Sequence, residues 1–263
     1  MGARLARPGA ELLPLTFHPM SNHSCAQHDL EFRHVAAQYG RTPVLSDIHF
    51  SVSCGQRLAI IGPNGAGKST LLRILAGIKK HSAGEILWQN QPLAQWSREI
   101  AYLPQVDTHQ QSFPITVREV VAMGRYPQVS FWRRFSAEDH AKVAEAMEAM
   151  EITDLADRQI DALSGGQQQR AFIARCLAQE AHVILLDEPF NGLDAESRTH
   201  LSHTLKQLAD TGHLIIASHH NLDTVTTLFD YTLAVNHQQV AFGPSPVVMA
   251  SQVVTDLFYC KHF

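Results

Sequence analysis

Between an apolar run, Leu58 to Ile61, and a helical apolar pattern, Leu71, Leu72, Ile74 and Leu75, the chain reads Gly62-Pro63-Asn64-Gly65-Ala66-Gly67-Lys68-Ser69-Thr70. A strand, a glycine-rich turn and a helix start follow one another, and Gly62, Gly67, Lys68 and Ser69 satisfy the spacing G-x-x-x-x-G-K-[ST] of a phosphate-binding loop. Glycines lack the Cβ that would stop the backbone from curling, so successive N–H groups can point inward at phosphate oxygens. The positive end of the following helix dipole adds to that field. Lys68 is expected to reach the β- and γ-phosphates, and the Ser69 hydroxyl to complete a Mg²⁺ shell. An ordinary glycine turn accounts for neither the Lys-Ser pair nor both flanks.

A length of 263 residues allows a substantial core, and 45% apolar with 17% charged residues is ordinary for a globular protein. A net charge of −4 offers no electrostatic case for a nucleic-acid binder. No stretch approaches the run of about 18 apolar residues that a membrane helix needs, so a membrane role is expected to come through partner chains. Cys25, Cys54, Cys176 and Cys260 form no C-x-x-C pair, which indicates neither a disulfide framework nor a zinc site and fits a reducing cytosol. Most of the 16 histidines stand singly; His200 and His203 could share a helix face, but without a third ligand a solvated face explains them better.

Residues 1–29 lack the continuous apolar core of a signal peptide and read as a flexible N-terminal extension, with Met20 as an alternative translational start. Residues 30–245 read as one domain, and 246–263 as a C-terminal tail. Leu30 to Val35, Ile48 to Val52 and Gly84 to Trp88 predict a small antiparallel sheet beside the nucleotide. Val183 to Leu186, Leu214 to Ala217 and Leu233 to Val235, separated by helical patterns, predict a mostly parallel sheet buried on both faces. A helical insert is expected over about 97–163. Its clearest helix starts at Ser136, where Ser136-x-x-Asp139 is a capping signal and Val143, Met147 and Met150 fall on one apolar face. Phe131, Trp132, Arg133, Arg134 and Phe135 read either as a partner-contact surface or as a loop tucked onto its own domain.

Two further motifs complete a nucleotide site. Val183-Ile-Leu-Leu-Asp187-Glu188 places two acids at the mouth of an apolar strand, an expensive arrangement unless they face a cation or solvent. Asp187 is expected to hold Mg²⁺, often through water, and Glu188 to orient and polarise the water that attacks the γ-phosphate. Leu163-Ser164-Gly165-Gly166-Gln167 can expose backbone amides at the start of a helix, a second anion-binding surface on the same chain. With these three motifs the chain closely resembles the ATP-binding cassette family, whose nucleotide-binding subunits carry the LSGGQ signature. The likeness covers about residues 30 to 245.

That resemblance implies an α/β fold: a P-loop NTPase core with a mostly parallel sheet, an N-terminal antiparallel β subdomain and an inserted α-helical subdomain. It implies ATP and Mg²⁺ as ligands, and a head-to-tail dimer in which ATP lies between the loop of one copy and Ser164, Gly165, Gly166 and Gln167 of a second copy. Tyr39 is placed like the aromatic that stacks on adenine, with a plain strand-end tyrosine as the alternative. Gln105 resembles the glutamine that contacts Mg²⁺ and the attacking water. Asp194, in Asn191-Gly192-Leu193-Asp194, resembles the acid of the loop that crosses the dimer interface, although Asn-Gly replaces the commoner Ser-Ala. Where the family has one histidine before an aspartate, this chain has His219-His220-Asn221; alignment on Asn221 makes His220 the γ-phosphate contact, with His219 as the fallback.

One phosphate loop, one signature and no spanning segment describe an ATPase subunit that drives separate integral membrane permease subunits from the cytoplasmic face of the inner membrane. Phe113 to Pro127, Trp132-Arg-Arg134 and His219 to Val225 are similar to the manganese, zinc and iron branch of bacterial importers. Gly124-Arg-Tyr-Pro127 is shared with the siderophore and haem branch. An extracytoplasmic substrate-binding protein is an indirect partner in that reading, and nucleic acid is not a partner. A soluble, non-transport ATPase of the same family fits less well, because such proteins usually carry two cassettes or a coiled-coil insertion with basic surfaces.

Overall fold

The computed structural model describes residues 29–105, 114–129 and 134–259. The chain opens with a hairpin, β1 (Asp29–Tyr39) and β2 (Thr42–Ser53), and crosses to β3 (Arg57–Ile61) and helix α1 (Lys68–Leu75). It returns through β4 (Ala83–Trp88) and β5 (Gln91–Pro92), which join the hairpin in an antiparallel sheet of order β2-β1-β4-β5. β2 begins six residues ahead of its expected start at Ile48, with Pro43 tolerated because this strand lies at the sheet edge.

A second sheet has the order β10-β9-β3-β8-β7-β6, built from β3 with β6 (Ile100–Leu103), β7 (Val183–Leu186), β8 (Leu214–Ser218), β9 (Tyr231–Val235) and β10 (Gln239–Pro244). All its pairings are parallel except that of β9 with β10. Every residue of β7 and β8 is buried, as a sheet covered on both faces requires. Side chains alternate between two cores. Leu58, Ile60, Val183, Leu185, Leu214 and Ile216 face α1 and the antiparallel sheet. Ala59, Ile61, Ile184, Leu186, Ile215 and Ala217 face the remaining helices. Each buried Val, Leu or Ile among these stabilises the fold by about 1.5–3 kcal/mol.

Between β6 and β7 lie α2 (Val117–Ala122), α3 (Ala137–Ala149) and α4 (Gly165–Ala178). The helical insert therefore begins after Leu103, not near residue 97, because Ile100–Leu103 pairs with Val183–Leu186 in the central sheet. It also extends past residue 163, since α4 packs on α2 and α3. Ser136 caps α3 as the sequence predicts: its hydroxyl accepts from the Asp139 N–H at 3.2 Å, and Asp139 accepts from the Ser136 N–H at 2.8 Å. Met147 and Met150 are core residues, each 1% exposed. Phe131, Trp132 and Arg133 lie outside the described residues, whereas Phe135 tilts against Tyr126 at 5.6 Å between ring centroids.

After β7 come α5 (Ala195–Asp210), α6 (Leu222–Leu228), α7 (Ser245–Met249) and α8 (Gln252–Tyr259). Residues 246–259, read from sequence as part of a tail, thus belong to two short helices that bury Val248 and Val254.

The insert is pinned by Gly124 and Arg125, just after α2. A β-carbon on Gly124 would stand 2.1 Å from the carbonyl oxygen of Arg175 in α4. Arg125 is buried and donates to Asp139 at 3.1 Å, to the Ala178 carbonyl at 2.7 Å and to Glu180 at 2.8 Å. Gly124→Ala is expected to force α4 away and lower stability by about 1–3 kcal/mol, measured as a shift in the urea midpoint at unchanged m-value.

Candidate active site

Tight backbone approaches shape the phosphate loop. A β-carbon on Gly62 would lie 2.1 Å from the Val235 carbonyl at the end of β9, and one on Gly67 would lie 2.4 Å from a methyl of Leu45 in β2. Gly67 also holds a φ of 104°, which a side chain would strain, and it hands the chain straight into α1. The far side of the loop is tied to the edge strand through His237. Its N–H donates to the Ala66 carbonyl at 3.0 Å, and its own carbonyl accepts from the Ser46 N–H at 2.7 Å.

Lys68 is 7% exposed, and its ammonium donates to the carbonyls of Gly62 at 2.8 Å and Pro63 at 3.0 Å. Burial lowers its pKa from the usual lysine value, while the Glu188 and Asp187 charges oppose that shift.

Asp187 ends β7, buried, at a point fixed by a bond from its N–H to the Leu103 carbonyl at 2.9 Å. One carboxylate oxygen accepts from the Ser69 hydroxyl at 3.2 Å and from the Ser218 hydroxyl at 2.6 Å. Ser218 in turn accepts from the Glu188 N–H at 2.7 Å, so one hydroxyl at the end of β8 braces both acids. The sequence reading passed over Ser218, whose only signal was its place just before the paired histidines. Glu188 adopts a φ of 51°, a left-handed backbone that costs a non-glycine residue about 1–2 kcal/mol. Its carboxylate accepts from Gln105 at 3.3 Å and Asn191 at 3.5 Å, at the wall of a cavity of about 270 Å³.

The two adjacent histidines have different surroundings. His219 is 3% exposed, bonds Thr224 at 2.8 Å and packs among Phe190 and Phe229. Burial, followed by the neighbouring His220, lowers its pKa to about 4. His220 is exposed.

Ser164 caps α4, its hydroxyl accepting from the Gln167 N–H at 3.4 Å while Gln167 accepts from the Ser164 N–H at 3.1 Å. Ser164 and Gly165 are exposed, and a β-carbon on Gly165 would meet nothing within 4 Å. Among the described residues no hydrogen bond joins this helix start to residues 62–70. Asp194 caps α5 by accepting from the Ser197 N–H at 2.7 Å. Tyr39 ends β1 at 48% exposure, with the Lys79 ammonium 3.8 Å from its ring centroid. His200 is half-buried beside Glu151 at 3.7 Å, and no group of three metal-ligating side chains includes it or His203 among the described residues.

A phosphate cradle with a buried lysine, set beside an acid pair on a mostly parallel sheet, defines a P-loop nucleoside triphosphatase. The ABC transporter family model matches residues 45–191, and the chain belongs to that family. It is an ATP-binding ATPase. Over 206 residues it is 40% identical to the manganese transport system ATP-binding protein MntB of Listeria innocua, covering 78% of this chain and 86% of the relative. Over 200 residues it is 41% identical to the chelated iron transport system membrane protein YfeB of Yersinia pestis, covering 75% and 68%. A solved metal-chelate type ABC transporter in an inward-facing conformation superposes with a TM-score of 0.79 at 28% identity, over 88% of this chain and 89% of the other.

His219 and His213, the latter also lowered to about 4 chiefly by burial, yield a pH prediction. The unfolded chain takes up protons near the ordinary value of 6.5, whereas the folded chain resists them down to about 4. Their contribution is therefore intact above 6.5 and is lost as pH falls toward 4. Urea midpoints are expected to drop across that window, and the His213→Asn/His219→Asn variant to show a shallower drop.

Proposed function

We propose that this chain is the ATP-hydrolysing subunit of a bacterial importer for a transition-metal cation, manganese, zinc or iron, working through a separate membrane permease. The observation that carries the reading is the 40% identity, over most of both chains, to a manganese-system subunit. The chelated-iron relative and the metal-chelate structural neighbour favour a second reading, an importer of a metal chelate such as a siderophore or haem. No described helix is long and apolar enough to cross a membrane, and a peripheral position on the cytoplasmic face, held by the permease, agrees with that.

The donors at the loop fit Mg²⁺. The Ser69 hydroxyl and the Asp187 carboxylate are hard oxygen ligands that already converge, and Gln105 stands beside Glu188. Bound there, the ion would neutralise charge on the β- and γ-phosphates. Lys68 would exchange the Gly62 and Pro63 carbonyls for phosphate oxygens. Glu188, oriented by Gln105, Asn191 and its left-handed backbone, would accept a hydrogen bond from the attacking water and polarise it. His220, which packing leaves exposed, would contact the γ-phosphate; His219 is committed to Thr224 and the aromatic core. Adenine would stack on the face of Tyr39 opposite Lys79.

Two copies are needed in this scheme. Ser164 and Gly165 are exposed, and among the described residues the helix start they form makes no hydrogen bond to its own phosphate loop, so the complementary loop is that of a second subunit. Asp194 would meet the same interface from the start of α5. ATP then closes the pair and hydrolysis reopens it, and the helical insert passes the motion to the permease.

Glu188→Gln and His220→Ala are each expected to slow ATP turnover by roughly 100-fold or more while keeping the fold. Glu188→Gln should also trap an ATP-dependent dimer on size-exclusion chromatography. Purified with its permease and an extracytoplasmic binding protein, the complex is expected to raise its ATPase rate when manganese, zinc or iron is supplied. Stimulation by a haem or siderophore complex alone would favour the second reading.

A further inference from the structure

The alternation of buried residues slips once on each strand of the first hairpin. Along β1 the buried positions run Leu30, Phe32, Val35 and Ala37; along β2 they run Leu45, Ile48, Phe50 and Val52. Register explains both slips. Phe32 faces Phe50 and Val35 faces Ile48, so Arg33 and His34 together oppose His49. Ala37 faces Leu45, so Ser46 and Asp47 together oppose Ala36. Two opposed bulges thus flank one paired rung, Val35 with Ile48. His34 and Asp47 hold φ values of 49° and 51°, left-handed geometry that turns both side chains outward.

The result is a convergence of three donors on one exposed face. His34 Nδ1 lies 2.6 Å from Asp47 Oδ1, His49 Nδ1 lies 3.6 Å from the same oxygen, and one ligand atom from each residue falls within 4.8 Å of the others. Two ligands each about 2.0–2.1 Å from a shared ion stand about 3–3.5 Å apart, a spacing that small rotamer changes reach here. A side chain of β10 steadies the frame: the His49 N–H donates to Gln239 Oε1 at 3.0 Å. Arg33, next to His34 in the chain, is paired with Glu31 at 2.7 Å and Glu85 at 3.8 Å.

We propose that His34, Asp47 and His49 form a surface binding site for a first-row divalent transition cation, separate from the nucleotide site. Two imidazoles and one carboxylate select borderline cations such as Zn²⁺, Ni²⁺ or Fe²⁺ over Mg²⁺, which demands oxygen ligands. Water completes the shell on the open side. The cation takes the place of the hydrogen bonds that His34 Nδ1 makes to Asp47 Oδ1 and His49 Nδ1 makes to the Asp47 carbonyl at 3.3 Å, each imidazole proton moving to Nε2.

Equilibrium dialysis of the nucleotide-free, chelator-treated full chain against Zn²⁺ tests the site, together with the visible spectrum of added Co²⁺. The unsubstituted protein is expected to hold one more equivalent than the His34→Ala/His49→Ala variant, and that variant to lose the corresponding Co²⁺ band. Asp47→Asn, a milder change, is expected to weaken that equivalent by about tenfold or more. All variants should keep their circular dichroism and Mg²⁺-dependent ATPase. Equal stoichiometry, affinity and Co²⁺ spectra in the unsubstituted and Asp47→Asn proteins would overturn the proposal. No permease takes part in the assay, so its outcome is independent of which substrate the transporter carries.

Discussion

The Asp187 carboxylate, buried just past β7 and held by the hydroxyls of Ser69 and Ser218, joins three parts of the molecule. Ser69 belongs to α1 and the phosphate loop, Asp187 directly follows β7, and Ser218 belongs to β8. A buried carboxylate is costly unless donors surround it, so this one oxygen fixes the relative height of two strands and a helix. From the same joint Ser218 reaches the Glu188 amide, and Glu188 reaches Gln105, whose segment leads into the helical insert. All of these groups sit at the carboxyl ends of neighbouring parallel strands, the place where open α/β sheets gather their ligands.

What could be read from sequence followed from how completely each element is buried. β3, β7 and β8 are covered on both faces and so appear as unbroken apolar runs ending in Gly62, Asp187 and Ser218. β2 is an edge strand with a proline and a bulge, and its regular half alone, Ile48 to Val52, stood out. Ile100–Leu103 lies inside the stretch expected to be the helical insert, since its partner β7 is far along the chain and register is not a local property. Ser218 was hidden for the same reason. Its role depends on the parallel pairing of β7 with β8, which no local pattern encodes. The two histidines that the sequence left open are separated by packing, His219 among aromatic rings and His220 toward solvent.

The Gly124-Arg125 pair shows how a sequence likeness can have a packing cause. Gly124 permits the close approach of the chain after α2 to α4, and Arg125 stitches α3, α4 and Glu180 together. Both hold the insert in shape, which is a mechanical requirement for any subunit that transmits motion through it. The hydrogen bonds of Arg125 run to Asp139, Ala178 and Glu180, away from residues 62–70, and nothing in the pair identifies a cargo.

Lys68 rests on two carbonyl oxygens of its own loop. The cradle is therefore not a bare positive hole. An entering anion must displace neutral oxygens from an ammonium that they already solvate, so a singly charged ion gains little from the exchange. A polyphosphate, which offers several charged oxygens to the lysine and to the loop amides at once, gains a great deal. In the proposed nucleotide site, that contrast favours a polyphosphate over a small single anion.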